Sequence, residues 1–210
     1  MNSEHLLIPI EMYDWRTMTD DERARAKELR RARSYPKHSP PHWDLKGEYQ
    51  YLISAACFEH ADVIGKNPER MTQCEREVLQ SCREFCSEIY AWCVLPNHYH
   101  VLILTEAIKE LRGALGQFHG HSSFNWNRED GARGRKVWYN CFERPMKSER
   151  HFWVTLNYIH HNPVHHGYVK QWQDWPWSSA GDFLDQVGHE RTLETWREYP
   201  ILDYGKKWDI

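Results

Sequence analysis

Read for the spacing of its apolar positions, the chain has a polar, charged opening and a longer stretch in which strand and helix patterns alternate. From Glu48 to His60, EYQYLISAACFEH sets β-branched and aromatic residues around an apolar centre and predicts a buried strand. In the next segment, MTQCEREVLQSCREFCSEIY, Val78, Leu79, Cys82, Phe85, Cys86 and Ile89 recur at helical spacing, with Thr72 as candidate N-cap and Glu75 three residues on. That pattern predicts an amphipathic helix packed on a sheet. The run AWCVLPNHYHVLILT, Ala91 to Thr105, predicts a second strand, with Pro96 marking a bulge or an edge within it.

Farther along, AIKELRGALGQFHGHSSFNWN places Ile108, Leu111, Leu115 and Phe118 on one helical face, weakened by glycines. A polar loop, REDGARGRK, leads to VWYNCFERPM, a further strand. Ser148 can cap a helix through ERHFWVTLNYIHHN, whose apolar stripe is Phe152, Leu156 and Ile159. Pro163 disfavours helical geometry at Asn162, so this helix is expected to bend or end there. Beyond it, WQDWPWSSAGDF predicts a Trp-rich wrap around the core. Ahead of Gly47 a helix is expected from Asp20 to about Arg33, broken by the prolines of SYPKHSPPHWD. The organisation expected is an arm over 1–45, a central domain over 46–185 and a tail over 186–210.

Composition narrows the function classes. Hydrophobic residues at 40% and aromatics at 14% are enough for a packed core, which excludes a wholly disordered chain. No apolar run approaches the roughly 20 residues needed to span a bilayer, and the first residues lack the pattern of a secretory signal. A cytoplasmic protein with no membrane partner is expected. The six cysteines form no CxxC pair, so reduced thiols are expected rather than a zinc ribbon. With a formal net charge of −3, no global positive field draws the chain onto nucleic acid, and any such site must be local. Two local candidates are RARAKELRRAR, which includes Arg30 and Arg31, and RGRK, with Arg133, Arg135 and Lys136. For the first, a solvated helix face and a phosphate-contacting arm both fit.

Two constellations carry chemistry. Side chains at i and i+2 of a strand share a face, so His98 and His100 point together while Tyr99 points the other way. Two such imidazoles can chelate a divalent metal, although ordinary polar residues also occur in this pattern. In NYIHHNPVHHG, Tyr158 and Asn162 stand at i and i+4 of a helix, with His161 and His165 close to that face. A core tyrosine and an asparagine that ends a helix fit this stretch as well.

Together, LPNHYHVLI and, about sixty residues later, YIHHNPVHHG resemble the REP-associated tyrosine transposases, a branch of the single-tyrosine HUH transposases related to the small insertion-sequence transposases. YLISAACFEH, VWYNCF, SERHF and WPWSSAGDF lie in the matching order, and the resemblance runs from about Glu48 to Phe183. It implies an α+β fold: an antiparallel sheet of four or five strands with helices on one face, ferredoxin-like or RRM-like in topology. In that fold the Tyr158 helix would lie across the His98 strand.

The same resemblance implies His98 and His100 as metal ligands flanking Tyr99, Asn162 as a third ligand, and Tyr158 as nucleophile. It implies Mg²⁺ or Mn²⁺ as the divalent cation. The implied activity is that of a single-stranded DNA endonuclease and strand transferase, acting on hairpin-forming palindromic repeats through a 5′-phosphotyrosine, on the nucleoid. His161 and His165 are further candidates for a base or an outer support of the site, equally readable as helix-end residues on backbone carbonyls. Trp126 or Trp138 could stack a base, though core packing is the expectation. Relatives include monomers and homodimers, some with the tyrosine helix serving the partner's metal site. The alternatives are a domesticated, non-catalytic hairpin DNA or RNA-binding protein and a phosphodiesterase that uses water.

Overall fold

The computed structural model describes residues 19–32 and 45–205, without the side chains of 23, 26, 27 and 29–31. Two compact units make up the chain, one formed by Met1–Pro40 with Gly205–Ile210, the other by Pro41–Tyr204. In the first, α1 spans Asp20–Ala32. Thr19 and Glu22 cap it reciprocally: Glu22 Oε2 accepts from Thr19 N at 2.7 Å, and Thr19 Oγ1 accepts from Glu22 N at 3.3 Å. The side chains of Arg30 and Arg31 lie outside the described residues.

The second unit runs in the order β1 (Tyr49–Ala56), α2 (Pro68–Phe85), β2 (Glu88–Val94), β3 (His98–Thr105), α3 (Ile108–Glu129), β4 (Phe142–Pro145), α4 (Glu149–His165), α5 (Ala180–Val187) and α6 (His189–Glu198). Its four antiparallel strands lie in the order β2-β3-β1-β4. With α2 and α3 as the crossovers, this is the βαββαβ arrangement of ferredoxin-like folds. No helix among the described residues is long and apolar enough to cross a membrane.

The stretch from Ala91 to Thr105 is a hairpin rather than one strand. Pro96 has no N–H to give a ladder, and the chain reverses over Leu95–Asn97, closed by Leu95 N donating to the His98 carbonyl at 2.8 Å. Gly65 packs against this turn, and a Cβ there would stand 2.4 Å from Pro96 Cβ. Asn67, not Thr72, caps α2: its side chain accepts from Arg70 N at 2.8 Å, and Pro68 follows at the first helical position. Thr72 lies one turn inside and accepts from Trp177 Nε1 at 3.0 Å.

Strand alternation divides the interior. Tyr51, Ile53, Ala55, Tyr99, Val101 and Ile103 join Met71, Cys74, Val78, Leu111 and Leu115 in the core beneath α2 and α3. Leu52, Ser54, His98, His100 and Leu102 point to the opposite face. The helices of the βαββαβ unit thus share one face, as expected, and α4 covers the other. Covering both faces explains why β3 is buried from His98 to Ile103.

Ser148 caps α4, accepting from His151 N at 3.1 Å. The helix does not stop before Pro163 but continues to His165. Proline forfeits the hydrogen bond to the Ile159 carbonyl, and burial of the apolar Ile159 and Pro163 side chains offsets that loss. The tail wraps α4 from outside: Asn157 Nδ2 donates to the Tyr199 carbonyl at 2.9 Å, and His160 Nε2 pairs with Ser179 Oγ at 2.9 Å. Residues 186–204 therefore pack into the same unit as the sheet, and α5 and α6 stand where a Trp-rich wrap and a tail were expected. Trp126 and Trp138 are core residues, so neither is placed to stack a base.

Candidate functional site

The centre of the α4 face is polar although it is buried. His98 and His100 stand side by side on β3, ring centroids 5.0 Å apart, and each is only 3% exposed. Register puts Ser54 of β1 directly opposite His100, and Ser54 Oγ lies 2.6 Å from His100 Nδ1. Asn97, the last residue of the turn, holds the other ring, with Oδ1 2.6 Å from His98 Nδ1. Tyr99 between them belongs to the core, its hydroxyl 3.0 Å from His119 Nε2. Burial raises the Tyr99 phenol well above its usual range.

α4 supplies the facing residues. Tyr158 and Asn162, one turn apart, share its inner face. The Tyr158 ring centroid is 5.3 Å from that of His100, and Asn162 Oδ1 is 3.0 Å from His98 Nε2. Tyrosine and histidines come from the same chain.

Whether this group suits a cation can be judged from its donors. Both imidazoles are tied through Nδ1 to a protein oxygen, so metal binding falls to Nε2, the arrangement typical of ligating histidines. Asn162 is fully buried, and with Oδ1 turned to His98 its Nδ2 has no hydrogen-bond partner among the described residues. Two donors roughly 2.1 Å from one cation and at right angles to each other stand about 3.0 Å apart. No three His, Cys, Asp or Glu side chains converge among the described residues, so a third donor beside the two imidazoles would have to be an amide oxygen. Two imidazoles and an amide fit a divalent cation.

Several residues that the sequence did not single out complete the group. Arg144 of β4 pairs with Leu52 and so shares the histidine face. Burial pulls its guanidinium below its usual range, opposed by the nearby Tyr204 and Tyr158 phenols. Tyr204 lays its ring edge-on against Tyr158, centroids 5.6 Å apart. Its hydroxyl is 2.5 Å from Thr155 Oγ1 and 3.1 Å from His151 Nε2. Burial raises the Tyr204 phenol. His166, one turn beyond Asn162, sets its ring 5.0 Å from that of His98. Signals for some of these existed: Ser54 is a lone hydroxyl in a buried apolar strand, and His166 stands four residues after Asn162.

The other candidates lie elsewhere. His161 packs toward Trp172 and Trp196, with Nδ1 3.1 Å from the Asn157 carbonyl, and burial lowers its pKa. His165 is exposed at the end of α4. Neither is brought to Tyr158. Arg135 is committed to the fold: Nε donates to Asn127 Oδ1 at 2.9 Å and an η nitrogen to Asp130 Oδ2 at 2.7 Å. Asp130 also takes a two-pronged contact from buried Arg70, at 2.8 and 3.0 Å, which holds its carboxyl well below the usual range. Arg133 and Lys136 are exposed, and Lys136 Nζ lies over the Phe58 and Tyr139 rings at 5.0 and 5.3 Å.

Fold and site thus define a ferredoxin-like α+β domain with a tyrosine, two histidines and an asparagine gathered between sheet and helix. No general family profile matches the chain. A REP-associated tyrosine transposase of Haemophilus influenzae is 30% identical over 139 residues, covering 59% of this chain and 74% of that protein. The REP-associated tyrosine transposase of Escherichia coli K12 is 33% identical over 123 residues, covering 50% and 70%. A solved REP-associated tyrosine transposase bound to a REP hairpin superposes with a TM-score of 0.50 at 20% identity, over 70% of this chain and 86% of that one. The chain belongs to the REP-associated tyrosine transposases.

Proposed function

We propose that this protein is a metal-dependent endonuclease and strand transferase for single-stranded DNA that folds into hairpins at palindromic repeats. The observation that carries this reading is the convergence of Tyr158 with His98, His100 and Asn162 in one chain, with Tyr158 beside His100. Support for the substrate comes from the relative solved with a REP hairpin. Such a substrate places the protein on the nucleoid, and a site complete within one chain needs no second subunit for chemistry.

Tyr158 Oη attacks phosphorus in line, forming a 5′-phosphotyrosine while the bond to the 3′-oxygen breaks and that oxygen leaves as a 3′-hydroxyl. An isolated phenol has a pKa near 10, so its proton must depart during attack, and the Arg144 cation favours the phenolate. His98, His100 and Asn162 would hold Mg²⁺ or Mn²⁺, which supplies positive charge to a non-bridging phosphate oxygen and to the departing oxygen. Ser54 and Asn97 keep the two imidazoles aimed. Attack by a 3′-hydroxyl on the phosphotyrosine rejoins strands without ATP, because the covalent link retains the energy of the cut bond. Arg133 and Lys136 are exposed cations suited to the hairpin backbone.

The deciding experiment incubates end-labelled single-stranded hairpins from the repeats flanking the gene with Mg²⁺ or Mn²⁺, followed by a denaturing gel. A protein-linked band that Tyr158→Phe and His98→Ala both abolish is the expected result. A second reading, a non-catalytic hairpin-binding protein, draws on the 3% exposure of Tyr158. Tight hairpin binding with no adduct under either metal would establish it instead.

A further inference from the structure

We propose that Asn97 is a positioning residue that locks His98 in the tautomer carrying its proton on Nδ1, and that the left-handed turn at Glu59–His60 is what aims it. The inference deepens the metal-site reading above and rests on it for its purpose, although not for its test.

An amide can present either its oxygen or its nitrogen to a neighbour, so an asparagine beside a histidine ordinarily fixes nothing. Asn97 is different because both of its ends are engaged. Nδ2 donates to the His60 carbonyl at 3.0 Å, and a carbonyl can only accept. That leaves Oδ1 for His98, 2.6 Å from Nδ1, and an acceptor facing Nδ1 requires the proton to be there. In the neutral ring the lone pair then sits on Nε2, and Asn162 Oδ1 faces it at 3.0 Å. Asn162 Nδ2 has no partner among the described residues, so that amide, unlike Asn97, can turn and donate to Nε2 when no cation lies between them. Ser54 cannot impose the same choice on His100, since a hydroxyl both donates and accepts.

The surroundings are built to keep Asn97 in this pose. Its backbone carbonyl accepts from Cys57 N at 2.6 Å, so main chain and side chain are both tied to the segment that follows β1. In that segment Glu59 and His60 are consecutive non-glycine residues with φ of 57° and 48°. Such a conformation persists only where the surroundings over-determine it, and its result here is a His60 carbonyl turned toward Asn97. From the other side, Gly65 N donates to the Pro96 carbonyl at 2.8 Å, at the contact where Gly65 has no room for a Cβ. The turn before His98 is thus clamped by two segments distant in sequence, and Asn97 passes that rigidity to the ring.

The test is long-range ¹H–¹⁵N NMR of the histidine rings in the metal-free full chain, with His98 assigned by its loss in His98→Gln. Mn²⁺ affinity is measured alongside by titration calorimetry. The expected result is an Nδ1–H pattern for His98 in the wild type and a shift toward Nε2–H in Asn97→Ala. Mn²⁺ affinity should fall on the order of 10–100-fold in that variant. Asn97→Asp retains an acceptor for Nδ1 and should keep the wild-type tautomer, which separates loss of the acceptor from damage to the turn. A wild-type His98 protonated on Nε2, or an Asn97→Ala protein that keeps Nδ1–H with unchanged Mn²⁺ affinity, overturns the proposal. Loss of the Nδ1–H pattern in Asn97→Ala, in a protein whose wild type binds no Mn²⁺, supports the positioning role and removes the metal reading instead.

Discussion

His98 Nε2 lies 3.0 Å from Asn162 Oδ1, a contact that joins β3 to α4 across 64 residues of sequence. It places a ring nitrogen and an amide oxygen at the separation that two ligands of one cation adopt, in a pocket from which water is largely excluded. On the proposed reading, removing either partner affects both cation binding and the seat of the helix. His98→Ala should abolish measurable Mn²⁺ binding in calorimetry. Asn162→Ala, which keeps both imidazoles, should weaken it by about one to two orders of magnitude. Equal affinity in all three proteins would show that the contact is only structural.

Tyr204 stands over Tyr158, the phenol proposed above to attack phosphorus. Its ring packs on Tyr158 and its hydroxyl is anchored by Thr155 and His151. Tyr204→Ala should lower stability by about 3 kcal/mol in urea denaturation, the cost of an emptied aromatic site. Tyr204→Phe loses only the hydroxyl contacts and should cost about 1 kcal/mol. Because Tyr158 is 3% exposed, the alanine variant should also form the DNA adduct faster per folded molecule in a quench time course.

The three basic residues of the loop after α3 should separate in function. Arg133 and Lys136 are exposed, so replacing either by alanine should weaken hairpin binding and reduce the salt dependence of affinity by about one phosphate contact. Arg135 is bound to Asp130 and Asn127. Arg135→Ala should lower the melting temperature while leaving the salt slope nearly unchanged. Binding measured by anisotropy over a range of salt concentrations distinguishes the two behaviours.

His119 makes the core sensitive to acid. Half-buried and stacked on Trp138, its ring has its pKa pushed down by desolvation from the usual 6.5 to about 4. The unfolded chain therefore takes up the proton first, and stability that is complete above pH 6.5 is lost as pH falls toward 4. At pH 5 the linkage amounts to about 2 kcal/mol, since each pKa unit is worth roughly 1.4 kcal/mol. His119→Gln should flatten the pH dependence of the melting temperature in this window. A slope equal to that of the wild type would place the acid sensitivity elsewhere.

What the sequence determined by itself was periodic or local. Alternation around Ile53 and Val101, and the helical recurrence of Val78, Cys82, Leu111 and Leu115, specified strands and helices because each element buries one face of a regular repeat. The i, i+2 spacing put His98 and His100 on one face, and the i, i+4 spacing did the same for Tyr158 and Asn162. Where short-range chemistry competed, local spacing misled: Pro96 was expected at a bulge or an edge and instead sits in a reversal, and the cap expected at Thr72 is supplied by Asn67. Pro163 ends most helices, and only the packing around α4 keeps this one running. Tertiary structure alone decided that the two faces meet, because the contact depends on β3 pairing centrally in the sheet and on α4 crossing the side that α2 and α3 leave open. It likewise decided that Arg144, Tyr204 and His166 gather there, that His161 and His165 do not, and that Arg135 serves the fold. Those outcomes rest on contacts between residues distant along the chain, whose energies depend on burial and geometry that no local spacing encodes.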